Sequence, residues 1–98
     1  MCGIIGIASN KSVSSAIINS LRKLEYRGYD SAGIATLSNG IVSEVKSEGR
    51  VDILEKNLAV KNMSGPIGIG HVRWATHGIP NTINAHPHSS ESVSVVHN

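Results

Sequence analysis

The chain reads as an α+β domain, a largely antiparallel sheet with helices packed on it. Three observations lead there. The elements follow in the order β-α-β-β-α-β-β, an Asn39-Gly40 pair separates two strand-like runs, and one segment repeats apolar residues at helical spacing. Of 98 residues, 40% are hydrophobic but only 3% aromatic, so the core has to be built from Ile, Val, Leu and Ala. A chain of this length makes one small domain or part of one.

Gly3 to Ala8 (GIIGIA) is a short apolar run suited to a buried strand, with glycines that let a neighbour come close. Ser12 is placed to cap the next element, where Val13, Ala16, Ile17, Leu21 and Leu24 form the apolar face of a helix. Arg22 and Lys23 suit the negative C-terminal end of that helix, and Gly28 is placed to end it. Ser31 to Leu37 is a second strand, and Ile41 to Lys46 returns after the Asn-Gly turn. Val51, Leu54 and Leu58 predict a short helix ending near Val60. A loop over 62–66 leads to a strand over Ile67 to Arg73. Trp74 to Glu91, with Pro80 and Pro87, is irregular, and Ser92 to Asn98 is predicted as a last, core strand. A chain that stops on such a strand is expected to be the first part of a domain.

Composition excludes several classes of function. The formal charge is +2, no Lys/Arg run exists, and Tyr26, Tyr29 and Trp74 are the only aromatics available to stack on bases, so no nucleic-acid partner is expected. No apolar stretch approaches the ~20 residues of a membrane span, and no signal-peptide pattern is present, so no membrane partner is expected either. Cys2 is the single cysteine and cannot make an internal disulfide, which points to the cytoplasm. Gly65 to Gly70 is glycine-rich but lacks the Lys-Ser/Thr end of a phosphate loop. Five histidines (His71, His77, His86, His88 and His97) fall close together, yet His86-x-His88 has no Cys or carboxylate partner nearby. We predict no metal and no cofactor.

Cys2 follows the initiator methionine and is small enough for Met1 to be removed. It would then carry both a thiol and a free α-amine. With an α-amine near pKa ~7.7–8.0 and a thiol near ~8.5, one residue can supply nucleophile and base. Taken alone, Cys2 reads more readily as a buried strand residue that happens to stand second.

Five strings occur in order: Met-Cys-Gly-Ile-Ile-Gly-Ile at the start, Leu24-Glu-Tyr-Arg-Gly-Tyr-Asp-Ser-Ala-Gly-Ile-Ala35, Gly70-His-Val-Arg-Trp-Ala-Thr-His-Gly78, Asn84-Ala-His-Pro-His88 and Val95-Val-His-Asn98. In this set the chain resembles the class II glutamine amidotransferases, and among them the glutaminase domain of the glutamine–fructose-6-phosphate aminotransferases. The resemblance covers residues 2–98. It implies an N-terminal-nucleophile hydrolase αββα sandwich, here incomplete and limited to the first part of the domain. The sugar-isomerase domains that would bind fructose 6-phosphate are absent from the 98 residues.

The resemblance also implies roles. Cys2 would attack the side-chain amide of glutamine, form a thioester and release ammonia, and Asn98 would offer its side-chain amide to the oxyanion. Arg73 would hold the glutamine α-carboxylate in a two-pronged bond, with Thr76 and His77 lining the same pocket. Trp74 would gate the ammonia passage. Arg27 and His86 would support the site, Arg27 as a cation near the Cys2 thiol, while Asp30, Ser31 and Gly33 would hold backbone geometry. The implied partners are glutamine and, in a homo-oligomeric parent, fructose 6-phosphate. Two alternatives stay open: an inactive, truncated or decayed product, and the glutaminase part of another class II amidotransferase.

Overall fold

The structure is a computed structural model in which residues 1–57, 60 and 62–98 are described. In chain order it contains β1 (Gly3–Ala8), α1 (Ser14–Leu24), a 3₁₀ turn (Glu25–Arg27), β2 (Ser31–Ser38), β3 (Ile41–Glu48), α2 (Val51–Lys56), β4 (Ile67–Arg73), β5 (His88–Ser89) and β6 (Ser94–Val95). The predicted order is reproduced through β4; β5 is an added short strand within the stretch read as irregular.

The main sheet runs β1-β4-β2-β3, with every neighbour antiparallel. The β2–β3 hairpin closes on the pair Ser38 and Ile41, and its two turn residues sit at φ 52° and 78°. Mirror-image turns match strand twist in so short a loop, and Asn39-Gly40 supplies the one with both central residues left-handed. β4 arrives last yet inserts between β1 and β2. Its register, Gly3 opposite Val72 and Ser31 opposite Arg73, brings Cys2, Asp30 and Trp74 to one end of the sheet.

Strand alternation divides the sheet into two faces. Ile5, Ile7, Ala32, Ile34, Val45 and Val72 meet the helices and form one cluster with Val13, Ile17, Ile18, Leu21, Val51 and Leu54. Glycines on β4 let α1 lie close, since a Cβ at Gly70 would stand 2.6 Å from Ile17. The other face carries Ile4, His71, Gly33, Ile69, Ala35, Ile67 and Leu37, of which Ile4, Leu37 and Ile67 are exposed. The result is α+β, a helical layer on an antiparallel sheet.

Several expectations change. The N-cap of α1 is Val13 rather than Ser12, and no side chain caps it. Ala16 is exposed, and the buried face instead takes in Ser14 and Ile18. Arg22 serves tertiary packing more than the helix end, because its guanidinium pairs with Asp52 and Glu55 of α2. Gly28 ends the 3₁₀ turn, not α1. The α2 helix stops at Lys56, while Leu58 lies outside the described residues. The last strand shrinks most. Only Ser94–Val95 pair, and they pair with His88–Ser89 in a separate two-stranded ribbon instead of joining the main sheet. Val93 and Val95 are exposed, so this is no core strand. Alternating Ser and Val reads as a half-buried strand, but among the described residues no third strand pairs with it.

Candidate active site

The predicted residues meet at the end of the sheet where β1 begins and β4 finishes. A cleft of about 310 Å³ is lined by Cys2, Arg73, Trp74, Thr76, His77 and Asn98, together with Asn84 and three imidazoles. Residues 96 positions apart touch there: the Cys2 N–H donates to Asn98 Oδ1 at 2.9 Å. The Cys2 Sγ lies 4.0 Å from the Trp74 carbonyl oxygen.

Arg27 holds Cys2 by its backbone. Its Nε donates to the Cys2 carbonyl at 2.8 Å, while Nη2 lies 3.9 Å from Met1 Sδ. Arg27 thus lies against Cys2, and the bond it makes there is to the backbone carbonyl. Met1, Tyr26, Arg27 and Trp74 enclose a second, adjoining hollow.

Arg73 is the last residue of β4, and its guanidinium turns into the loop that follows. Nη1 donates to the Ile79 carbonyl at 3.1 Å, and Nη2 donates to the carbonyls of His77 and Gly78. A guanidinium has five N–H donors. The loop thus wraps the fork without using all of it. Asn84, which the sequence reading left unassigned, ties the same loop by donating to the Ile79 carbonyl at 3.0 Å. Thr76 and His77 are exposed on the rim.

Asp30 fastens the loop from the other side. Its Oδ2 accepts the Ala75 N–H at 2.8 Å, its own N–H donates to the Arg73 carbonyl at 3.0 Å, and its carbonyl accepts from Gly49. Gly28 belongs to this arrangement, since a Cβ there would fall 2.5–2.7 Å from the backbone of Arg73 and Trp74. Trp74, half exposed, meets Tyr29 edge to face at 6.4 Å, and Arg50 covers the Tyr29 ring.

His86 enters from the irregular segment. Its carbonyl rests on Gly33, where a Cβ would come within 2.0 Å, so β2 requires glycine at that point. The His86 ring stacks on His71 at 4.3 Å and also contacts His88 and His97. Burial, then the neighbouring imidazoles and Arg73, push His86 down to about 4. His71 is lowered as well, chiefly by burial. His71, His88 and His97 are the residues the sequence reading missed as site members. Their close spacing was the available signal, and it was weighed only as metal chemistry. Among the described residues, no group of three or more His, Cys, Asp or Glu is arranged to hold a metal ion. Nor, among them, is any helix long and apolar enough to cross a membrane.

Comparison with known proteins separates class from family. No family model matches the chain. The structure of the glutamine phosphoribosylpyrophosphate amidotransferase from B. subtilis superposes with a TM-score of 0.78 at 25% identity, covering 96% of this chain and 20% of that one. The fold is thus that of the N-terminal-nucleophile glutamine amidotransferases. Among curated relatives, glutamine–fructose-6-phosphate aminotransferases from Mesorhizobium japonicum and Brucella abortus are 52% and 56% identical across the whole chain. The chain is similar to these aminotransferases along its whole length, and it spans 16% of the length of these relatives.

Proposed function

We propose that residues 2–98 are the N-terminal portion of a class II glutamine amidotransferase domain and carry its nucleophile. The observation that supports this best is the Cys2–Asn98 contact. It sets the one thiol of the chain beside a side-chain amide whose Oδ1 is engaged by the Cys2 N–H, leaving its NH₂ as a donor.

Removal of Met1 frees the Cys2 α-amine as a base. The thiol proton passes to that amine as Sγ bonds to the side-chain carbonyl carbon of glutamine. The tetrahedral oxyanion takes a hydrogen bond from Asn98. The C–N bond then breaks as the amine hands the proton to the departing NH₂ group, which leaves as NH₃. Water adds to the thioester carbon, the C–S bond breaks, and glutamate leaves with the thiol restored. Arg73 holds the glutamine α-carboxylate with the donors that the loop leaves over. Thr76 and His77 orient the substrate from the rim, Trp74 gates the exit of ammonia, and Arg27 and His86 keep the site in place. Fructose 6-phosphate as ammonia acceptor, a homo-oligomeric parent and a cytoplasmic location rest on the family alone.

The test is a chimera in which this chain replaces the matching segment of the Brucella abortus relative. Ammonia release from glutamine should depend on Cys2, and intact mass should show Met1 removed. A retained Met1 in an active chimera would exclude Cys2 as an N-terminal nucleophile.

A further inference from the structure

His71 has no role in the chemistry above, yet it is fully buried and faces away from the helices. It stands in one cross-sheet row with Ile4 of β1 and with Gly33 and Lys46 of β2 and β3. Its Nε2 lies 2.9 Å from the His97 carbonyl oxygen. A carbonyl only accepts, so Nε2 carries the hydrogen; burial favours the neutral ring, which leaves its lone pair on Nδ1. That Nδ1 is buried and has no hydrogen-bond partner, as is the Nδ1 of His86 stacked against it. The next residue after His97 is Asn98, whose Oδ1 takes the Cys2 N–H.

We propose that His71 is a positioning residue whose neutral Nε2–H clamps the His97 carbonyl and so sets Asn98 against Cys2. This rests on the reading of Asn98 as an oxyanion donor. It also gives the site an acid limit. Burial is the largest cause for each ring; His71, His88, His97 and Arg73 further oppose a charge on His86, and His97, Arg73 and His88 oppose one on His71, offset in part by its bond to the His97 carbonyl. A proton added to His71 would go to Nδ1, where it meets no acceptor. Because both rings bind protons less readily when clamped, the clamped state is fully favoured above the ordinary imidazole value. It loses ground as pH falls below that value, by about 10-fold per pH unit for each imidazole that must charge.

Two measurements test this. In a form of the chimera that retains Met1, whose Cys2 nitrogen is still a peptide amide, His71→Phe removes the donor and should cut hydrogen-exchange protection of that amide by about 10-fold, the worth of one hydrogen bond. Amides of α1 should hold. In the chimera, His71→Phe should lower kcat about 10²-fold with little change in KM, as expected for a misplaced group. His71→Gln keeps a donor that does not titrate. It should restore most of kcat and reduce the acid slope of the pH profile by one proton. Unchanged Cys2 protection in His71→Phe overturns the proposal. Should that variant fail to fold, an unchanged acid slope in His71→Gln overturns it instead. The reading of Asn98 fails separately: Asn98→Ala would then keep its kcat while His71→Phe still loses Cys2 protection.

Discussion

Residues 3–73 and residues 74–98 are held together by different forces. The first region is a ladder of antiparallel strands with an aliphatic cluster beneath it, where Ile17, Leu21, Ile34 and Leu54 are fully buried. The second has one two-residue strand pairing, a few local turn bonds and exposed valines. It stays in place through the Arg73 fork, the Asp30 carboxylate, the seat of His86 on Gly33 and the His71–His97 bond. The candidate site straddles the seam: Cys2 and Arg73 come from the frame, Thr76, His77, His86 and Asn98 from the segment. Apolar burial is non-directional and cooperative, whereas hydrogen bonds are directional and can be removed singly. Damage to the frame should therefore unfold everything, and damage at the seam should disable the site alone.

Removing the nucleophile tests the seam without touching either region's packing. Cys2→Ala in the chimera should lower glutamine turnover about 10⁶-fold, the scale of losing an activated nucleophile, with exchange protection in both regions kept. Ile17→Ala attacks the frame. It should cost about 2–5 kcal/mol, as for other large-to-small core changes, and denaturant unfolding should show both regions lost in one transition. Separate transitions would break the comparison.

Arg73→Lys acts at the seam. Lysine keeps the charge but loses the fork, so kcat/KM for glutamine should fall by about 1.5–3 kcal/mol, largely through KM. Unchanged glutamine kinetics would remove Arg73 from the carboxylate role. Gly33→Ala pushes a methyl into the His86 carbonyl and should cost about 1–3 kcal/mol, the range for overpacking. Exchange should rise over residues 84–98 while α1 stays protected. The smallest effect belongs to Arg22→Gln. The Arg22 pairs with Asp52 and Glu55 are partly exposed, so the loss of stability should not exceed about 1 kcal/mol, read as a shift in denaturation midpoint.

Much of this was legible in the sequence. The strand over Gly3 to Ala8, the strand over Ile67 to Arg73 and the Asn39-Gly40 hairpin stand where periodicity and turn chemistry put them. Such features depend on residues near in sequence, whose spacing fixes which face is buried. The residues of the cleft were named by resemblance to family strings, and the structure brings Cys2, Arg73, Thr76, His77 and Asn98 around it.

What only the tertiary structure decided depends on distant partners. A Val93-Ser-Val-Val run alternates like a core strand, but whether it is one depends on which edge it meets, and it meets only His88–Ser89. Arg27 is a cation near Cys2 by motif, and only the tertiary structure gives the atom it bonds, the Cys2 carbonyl. His71 reads as one histidine among five. Its partner lies 26 residues away, across a segment without regular structure for most of its length, and no local pattern encodes that meeting. Local spacing sets which side of an element is apolar; the packing of one element on another sets which polar atoms find each other.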